Sequence, residues 1–94
     1  MSEAEGYELL ARYHVPVPKH VIVRDGRDAR MEAERIGFPV VMKIVSPDIS
    51  HKSDMGGVIS GIETGEAARE SFDAIIDRAK RARPDAAITG VIIE

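Results

Sequence analysis

Lys43, His51, Lys52, Ser53, Asp54, Gly56 and Gly57 all fall within one stretch, FPVVMKIVSPDISHKSDMGGV, from Phe38 to Val58. Lys43 stands inside an apolar run, where an ammonium group is costly unless it reaches water or an anion. The polar loop that follows carries an imidazole, a second lysine, a hydroxyl and a carboxylate, and it closes on two glycines. Glycine lets a ligand approach the backbone closely, and successive backbone amides can form anion-binding concavities. A fixed cation beside such a loop is a layout suited to phosphate. The same residues equally describe a long hairpin whose lysine bends its amine out to water. The residues alone leave both readings open.

The elements that must hold these groups are legible on either side. Val40 to Val45 reads as a strand with Val40, Met42 and Ile44 on one face and Val41, Lys43 and Val45 on the other. Val58 to Glu63 reads as the strand after the loop, and Gly61 within it marks a bulge or a close neighbour. Upstream, Ser2 to Tyr13 reads as a helix with capping-box spacing between Ser2 and Glu5. His14 falls at its end, and the segment Val15 to Pro18 enforces extended chain. His20 to Arg24 alternates as a short strand. Asp25 can cap a helix of about Arg27 to Ile36, stopped by Gly37 and Pro39.

Downstream, Thr64 can cap a helix of about Gly65 to Ala82, on which Ala68, Phe72, Ile75, Ile76 and Ala79 recur at helical spacing. Arg78, Lys80, Arg81 and Arg83 near its end suit the helix dipole and read as a solvated helix end rather than a binding patch. Ile88 to Ile93 is the last strand. The order predicts an α+β two-layer sandwich: a four-stranded, largely antiparallel sheet in split β-α-β order, with helices on one face and an additional N-terminal helix. The other face is left for water, a ligand or another domain.

Composition narrows the function classes. Ninety-four residues make a single domain at most. There are no cysteines, so neither a disulfide nor a thiolate metal site is proposed, and a reducing, cytoplasmic setting is expected. The formal charge of -3 is interspersed, with no basic stripe or stacking aromatic pair, which argues against nucleic acid. No apolar segment is long enough for a membrane span. The last strand ends at Glu94 without turn residues, as expected for a fragment of a longer protein.

FPVVMKIVSPDISHKSDMGGV closely resembles the motif of the NDP-forming acyl-CoA synthetases, of the ADP-forming acetyl-CoA synthetase type. YELLARYHVPVP is similar to their opening helix and proline turn, and ITGVIIE to the strand that enters the ATP-grasp hinge. Tyr7 and His14 depart from the family pattern, where lysine and glycine are frequent. The resemblance implies that residues 1–94 form the small first subdomain of an ATP-grasp module. It also implies the reaction acyl-CoA + ADP + phosphate ⇌ acid + CoA + ATP, run through phosphohistidine.

On this resemblance His51 is the catalytic histidine that relays the phosphoryl group, and Lys43 contacts nucleotide phosphates. Ser53, Gly56 and Gly57 belong to the loop over those phosphates, and Glu94 falls where adenine contacts begin. ATP/ADP is the implied nucleotide. Mg2+ would be held mainly by parts outside this chain, and no metal ligand is assigned within it. The implied partners are the remaining ATP-grasp domain and a CoA-binding domain or subunit, with CoA and a small carboxylic acid as substrates. Two other parents fit the same motif: a non-catalytic ligand sensor fused to a lysine acetyltransferase, and another ATP-grasp ligase.

The chemistry agrees with the implied roles. Histidine ordinarily titrates close to neutrality, so a ring nitrogen is available as a nucleophile at pH 7. A lysine and backbone amides offset and position transferring phosphate. Fully extended, a loop from Ser46 to Gly57 would carry its tip out about 20 Å. Apart from the resemblance, Lys52 reads as electrostatic help or solubility, His20 as a strand residue, and Asp48 and Asp54 as loop-capping acids.

Overall fold

The computed structural model describes residues 19–94. The expected N-terminal helix, His14, Tyr7 and the proline turn lie outside the described residues.

Two helices and four strands follow the expected order. Strand β1 is Val21–Val23, helix α1 Gly26–Ile36, strand β2 Val40–Val45, strand β3 Val58–Ile62, helix α2 Gly65–Ala82 and strand β4 Gly90–Ile93. Both predicted caps are made. Asp25 accepts a hydrogen bond from the Asp28 N–H at 2.8 Å, and Thr64 accepts one from the Ala67 N–H at 3.0 Å. Each satisfies an amide that a helix start leaves unpartnered. The last strand begins later than expected, at Gly90: the turn falls at Pro84 and Asp85, and Ala86 to Thr89 follow without regular structure, although the Thr89 N–H already donates to the Val45 carbonyl of β2.

The sheet runs β1-β4-β2-β3, and every neighbouring pair is antiparallel. Strand β4 therefore lies between β1 and β2, and β2 lies between β4 and β3, so both β-α-β units are split by a strand of the other. The register slips between Val40 and Met42 against β3, opposite Gly61 at φ +67°. This is the bulge reading of Gly61, since nothing lies within 4 Å of a Cβ placed there.

Alternation along β2 assigns its faces. Val40, Met42 and Ile44 are fully buried in the main core, together with Ala29 and Ala33 of α1, Ala68, Phe72, Ile75 and Ala79 of α2, and Val91 and Ile93 of β4. Burial of one such large aliphatic side chain contributes about 1.5–3 kcal/mol, which holds both helices on this face. The opposite face, expected from sequence to be left for water, a ligand or another domain, carries a second, smaller cluster. Val45 and Ile92 are buried there, and Ile22 packs on them.

Candidate functional site

Lys43 is held from both sides. Its backbone pairs with Val58 of β3 and with Ile92 of β4, so β2 cannot shift without breaking two ladders. A slip by one residue would also bring Met42 and Ile44, both fully buried, out of the core. Ile22, Ile92, Lys43 and Val58 thus form one row across the sheet on the face away from the helices. The Lys43 side chain is 24% exposed, and its Nζ lies 3.5 Å from Oε1 of Glu94, itself 15% exposed. Glu94 extends β4 by one residue, exchanging backbone hydrogen bonds with Val41 at 2.9 Å each way.

Beyond the amine opens a cavity of about 490 Å³ lined by Lys43, Ser50, His51, Lys52, Ser53, Asp54 and Val58. The cation is therefore not sealed beneath the helices. It shares a wall with the imidazole, two hydroxyls and a second ammonium. Lysine in such a place acts as a point charge toward an anion. Asp54 is the carboxylate on that wall. Among the described residues no group of three or more His, Cys, Asp and Glu side chains could hold a metal ion.

The loop from β2 to β3 does not extend as a flap. Ser46 donates its hydroxyl to the Ala87 carbonyl and accepts from the Asp48 N–H at 3.1 Å. Asp48 accepts from the Ala87 N–H at 2.7 Å, so it fastens the loop to the α2–β4 turn. Ile49 is 7% exposed and joins the main core. These tethers shorten the reach that the bare sequence length suggested. His51 itself is exposed, between Ser50 and Lys52.

Gly56 and Gly57 act differently from the sequence expectation. Their N–H groups are already engaged, Gly56 donating to the Ser53 carbonyl at 3.2 Å and Gly57 to the Lys52 carbonyl at 2.8 Å. They close the single 3₁₀ turn Ser53–Met55, with Gly56 left-handed at φ 75°. Neither glycine lines the cavity, nor does Glu94; the glycines shape the wall and Glu94 stands beside Lys43. Of the residues singled out from sequence, the structure brings Lys43, His51, Lys52, Ser53 and Asp54 together on the wall.

Ser50, Val58 and Arg78 were not legible as parts of this arrangement. Ser50 lines the cavity beside His51, and its place next to that histidine was the available signal. Val58 enters through its pairing with Lys43. Arg78, expected to be a solvated helix-end cation, donates from Nη1 to the Gly56 carbonyl at 3.1 Å, a contact with no local sequence signal.

A family model described as an ATP-grasp domain matches residues 1–94. The chain is 48% identical over 93 residues to the beta subunit of acetate–CoA ligase [ADP-forming] I from Pyrococcus furiosus, covering 99% of this chain and 40% of that protein. A solved structure of the dinucleotide-forming acetyl-coenzyme A synthetase 1 of Ca. Korarchaeum cryptofilum, in complex with coenzyme A, Ca-AMPCP and HgCl+, superposes with a TM-score of 0.90 at 37% identity. The match covers 96% of this chain and 39% of that one. A second structure of that synthetase, with coenzyme A, acetyl-coenzyme A and a phosphorylated phosphohistidine segment, gives a TM-score of 0.84 at 33% identity, over 97% of this chain and 38% of that chain. The chain thus spans roughly two-fifths of the length of these relatives.

Proposed function

Because this chain belongs to the ATP-grasp domain family, matched over residues 1–94, we propose that it is the small first subdomain of an NDP-forming acyl-CoA ligase. The parent reaction is acyl-CoA + ADP + phosphate ⇌ acid + CoA + ATP. The observation that carries this reading is the convergence of Lys43, His51 and Ser53 on one cavity wall, in a chain similar to ADP-forming acid–CoA ligases.

The wall fits nucleotide phosphates. It offers two ammonium groups and two hydroxyl donors, and the sheet fixes Lys43 in place, so its charge needs little reorganisation when negative charge arrives. The bound nucleotide would supply or receive the phosphoryl group. In the proposed relay His51 presents a ring nitrogen lone pair. An N–P bond forms there as the phosphorus–oxygen or phosphorus–nitrogen bond to the donor breaks, and the reverse step passes the group on. Lys43 and Ser53 stabilise the phosphoryl oxygens throughout. Glu94, beside Lys43, stands at the start of the proposed adenine-binding hinge.

In this reading Mg2+ is held mainly by the remaining ATP-grasp domain. CoA and the carboxylic acid bind to a further domain or subunit. Among the described residues no helix is long and apolar enough to cross a membrane, and the proposed setting is cytoplasmic.

The test is His51→Asn in the full-length protein, assayed for ATP formed from acyl-CoA, ADP and phosphate. Asparagine keeps hydrogen-bonding capacity and removes the nucleophilic nitrogen. Net ATP formation is expected to vanish; full activity would remove His51 from the mechanism.

A further inference from the structure

Arg81, on α2, does what an exposed helix arginine ordinarily does: it pairs with Asp77 one turn earlier, at 3.2 Å. Arg78, on the same helix, does not. It reaches 22 positions back in the chain to Gly56, where its Nη1 donates to the carbonyl oxygen at 3.1 Å. Its aliphatic stem covers that glycine so closely that a Cβ at Gly56 would stand 2.9 Å from Arg78 Cδ. Holding a long side chain in one geometry costs rotamer freedom, and here the hydrogen bond and the packing of the stem offset it at a single residue.

That residue is the pivot of the cavity wall. Gly56 ends the Ser53–Met55 turn in the left-handed conformation, and its N–H closes the turn on Ser53. The next N–H, of Gly57, returns to the Lys52 carbonyl. His51, Lys52, Ser53 and Asp54, which form the wall beside Lys43, precede this pivot with only Met55 between. The far shoulder of the same loop is fastened by Asp48 to Ala87. The wall is thus suspended between two points that both lie outside it, one of them the Arg78 guanidinium.

We propose that Arg78 is a positioning residue for the phosphoryl-transfer site, acting through the Gly56 carbonyl to hold His51 and Ser53 over Lys43. The proposal rests on the reading of Lys43 and His51 given above. Arginine suits this task because its planar fork is pre-organised and its charge is permanent. Lysine can reach the same carbonyl as a flexible point charge.

The experiment compares R78A and R78K with the native full-length protein by two readouts. The first is amide hydrogen exchange at Gly56 and Gly57, with the β2 amide of Val41, bonded to the Glu94 carbonyl, as internal reference. The second is steady-state ATP formation from acyl-CoA, ADP and phosphate. In R78A the loop amides are expected to exchange at least about 10-fold faster while the Val41 amide is unchanged. Turnover is expected to fall about 10- to 100-fold with the KM for acyl-CoA unchanged, because a small misplacement of reacting groups is costly. R78K is expected to restore most of both.

Unchanged loop exchange in R78A overturns the proposal. So does faster loop exchange with native turnover, and so does R78K behaving no better than R78A. If R78A does not fold, R78Q, which has a shorter stem and an uncharged amide donor group, carries the same comparison with R78K. The two readings fail separately. A fully active H51N variant defeats the phosphoryl relay whatever Arg78 does, whereas unchanged loop exchange defeats the role of Arg78 even when H51N is inactive.

Discussion

The Lys43 ammonium lies 3.5 Å from the Glu94 carboxylate, on the face of the sheet away from both helices. Lys43 is paired with Ile92 and Val41 with Glu94 along the same ladder, so the two charges meet diagonally across neighbouring strands. Removing the cation while keeping the stem tests its part in binding. In Lys43→Met of the full-length protein, the KM for phosphate and ADP should rise about 10- to 100-fold, since a charge-assisted hydrogen bond contributes about 1.5–3 kcal/mol. Steady-state kinetics with each substrate varied in turn measures this; a native KM for both would remove Lys43 from phosphate binding.

The chain by itself should fold yet hold nucleotide poorly. Binding sites enclose most of a ligand's surface, and residues 1–94 supply one wall of the proposed cleft while spanning 40% of the Pyrococcus furiosus beta subunit. Calorimetric titration of this chain with ATP should give a Kd near the millimolar range, about -4 kcal/mol, with no turnover. Micromolar affinity would contradict the assignment of the rest of the pocket to another domain.

Helix α2 offers a graded comparison of core against cap. Ile75 is fully buried, so Ile75→Ala should cost about 2–5 kcal/mol through lost transfer energy and a cavity. Thr64→Ala loses the bond to the Ala67 N–H and should cost about 1 kcal/mol. Urea unfolding of the two variants ranks them; a larger loss at Thr64 would mean that α2 is held chiefly by its start.

Two glycines in the β2–β3 region should respond unequally to alanine. A Cβ at Gly57 would stand 2.7 Å from Ile44 Cγ2 and 3.0 Å from the Lys52 carbonyl oxygen, and neither neighbour can move freely, so Gly57→Ala should cost about 1–3 kcal/mol by overpacking. Gly61 has open space but a positive φ, so Gly61→Ala should cost about 1–2 kcal/mol from backbone strain alone. Urea midpoints give the stabilities, and the exchange of the Ile44 amide, bonded to the Gly57 carbonyl, should accelerate more in the first variant.

Local chemistry was the legible part of this chain. Asp25 and Thr64 cap their helices because the capping partner lies three residues away, and the apolar spacing from Ala68 to Ala79 repeats within one element. The alternation that put Lys43 opposite Met42 and Ile44 is likewise a property of six consecutive residues. What sequence did not disclose joins distant segments. The Asp48 contact with Ala87 spans 39 positions and that of Arg78 with Gly56 spans 22. No pattern within the polar loop marks Ile49 as a core residue. Without those contacts the loop looks free to swing; the glycine amides are closed off locally instead, by the carbonyls of Ser53 and Lys52.

The interleaved strand order has a consequence for synthesis on the ribosome. Strand β4, translated after the other three, is the piece that fits between β1 and β2, so those two have no partnership with each other to form beforehand. A nascent chain halted before Gly90 can assemble the hairpin of β2 and β3 and both helices, but β1 stays adrift and one edge of β2 stands unzipped. Such an intermediate presents an unprotected apolar edge, the kind that recruits a stray strand. Completion of the sheet therefore waits for Gly90–Ile93 to leave the exit tunnel, which makes the closing step late and cooperative rather than progressive.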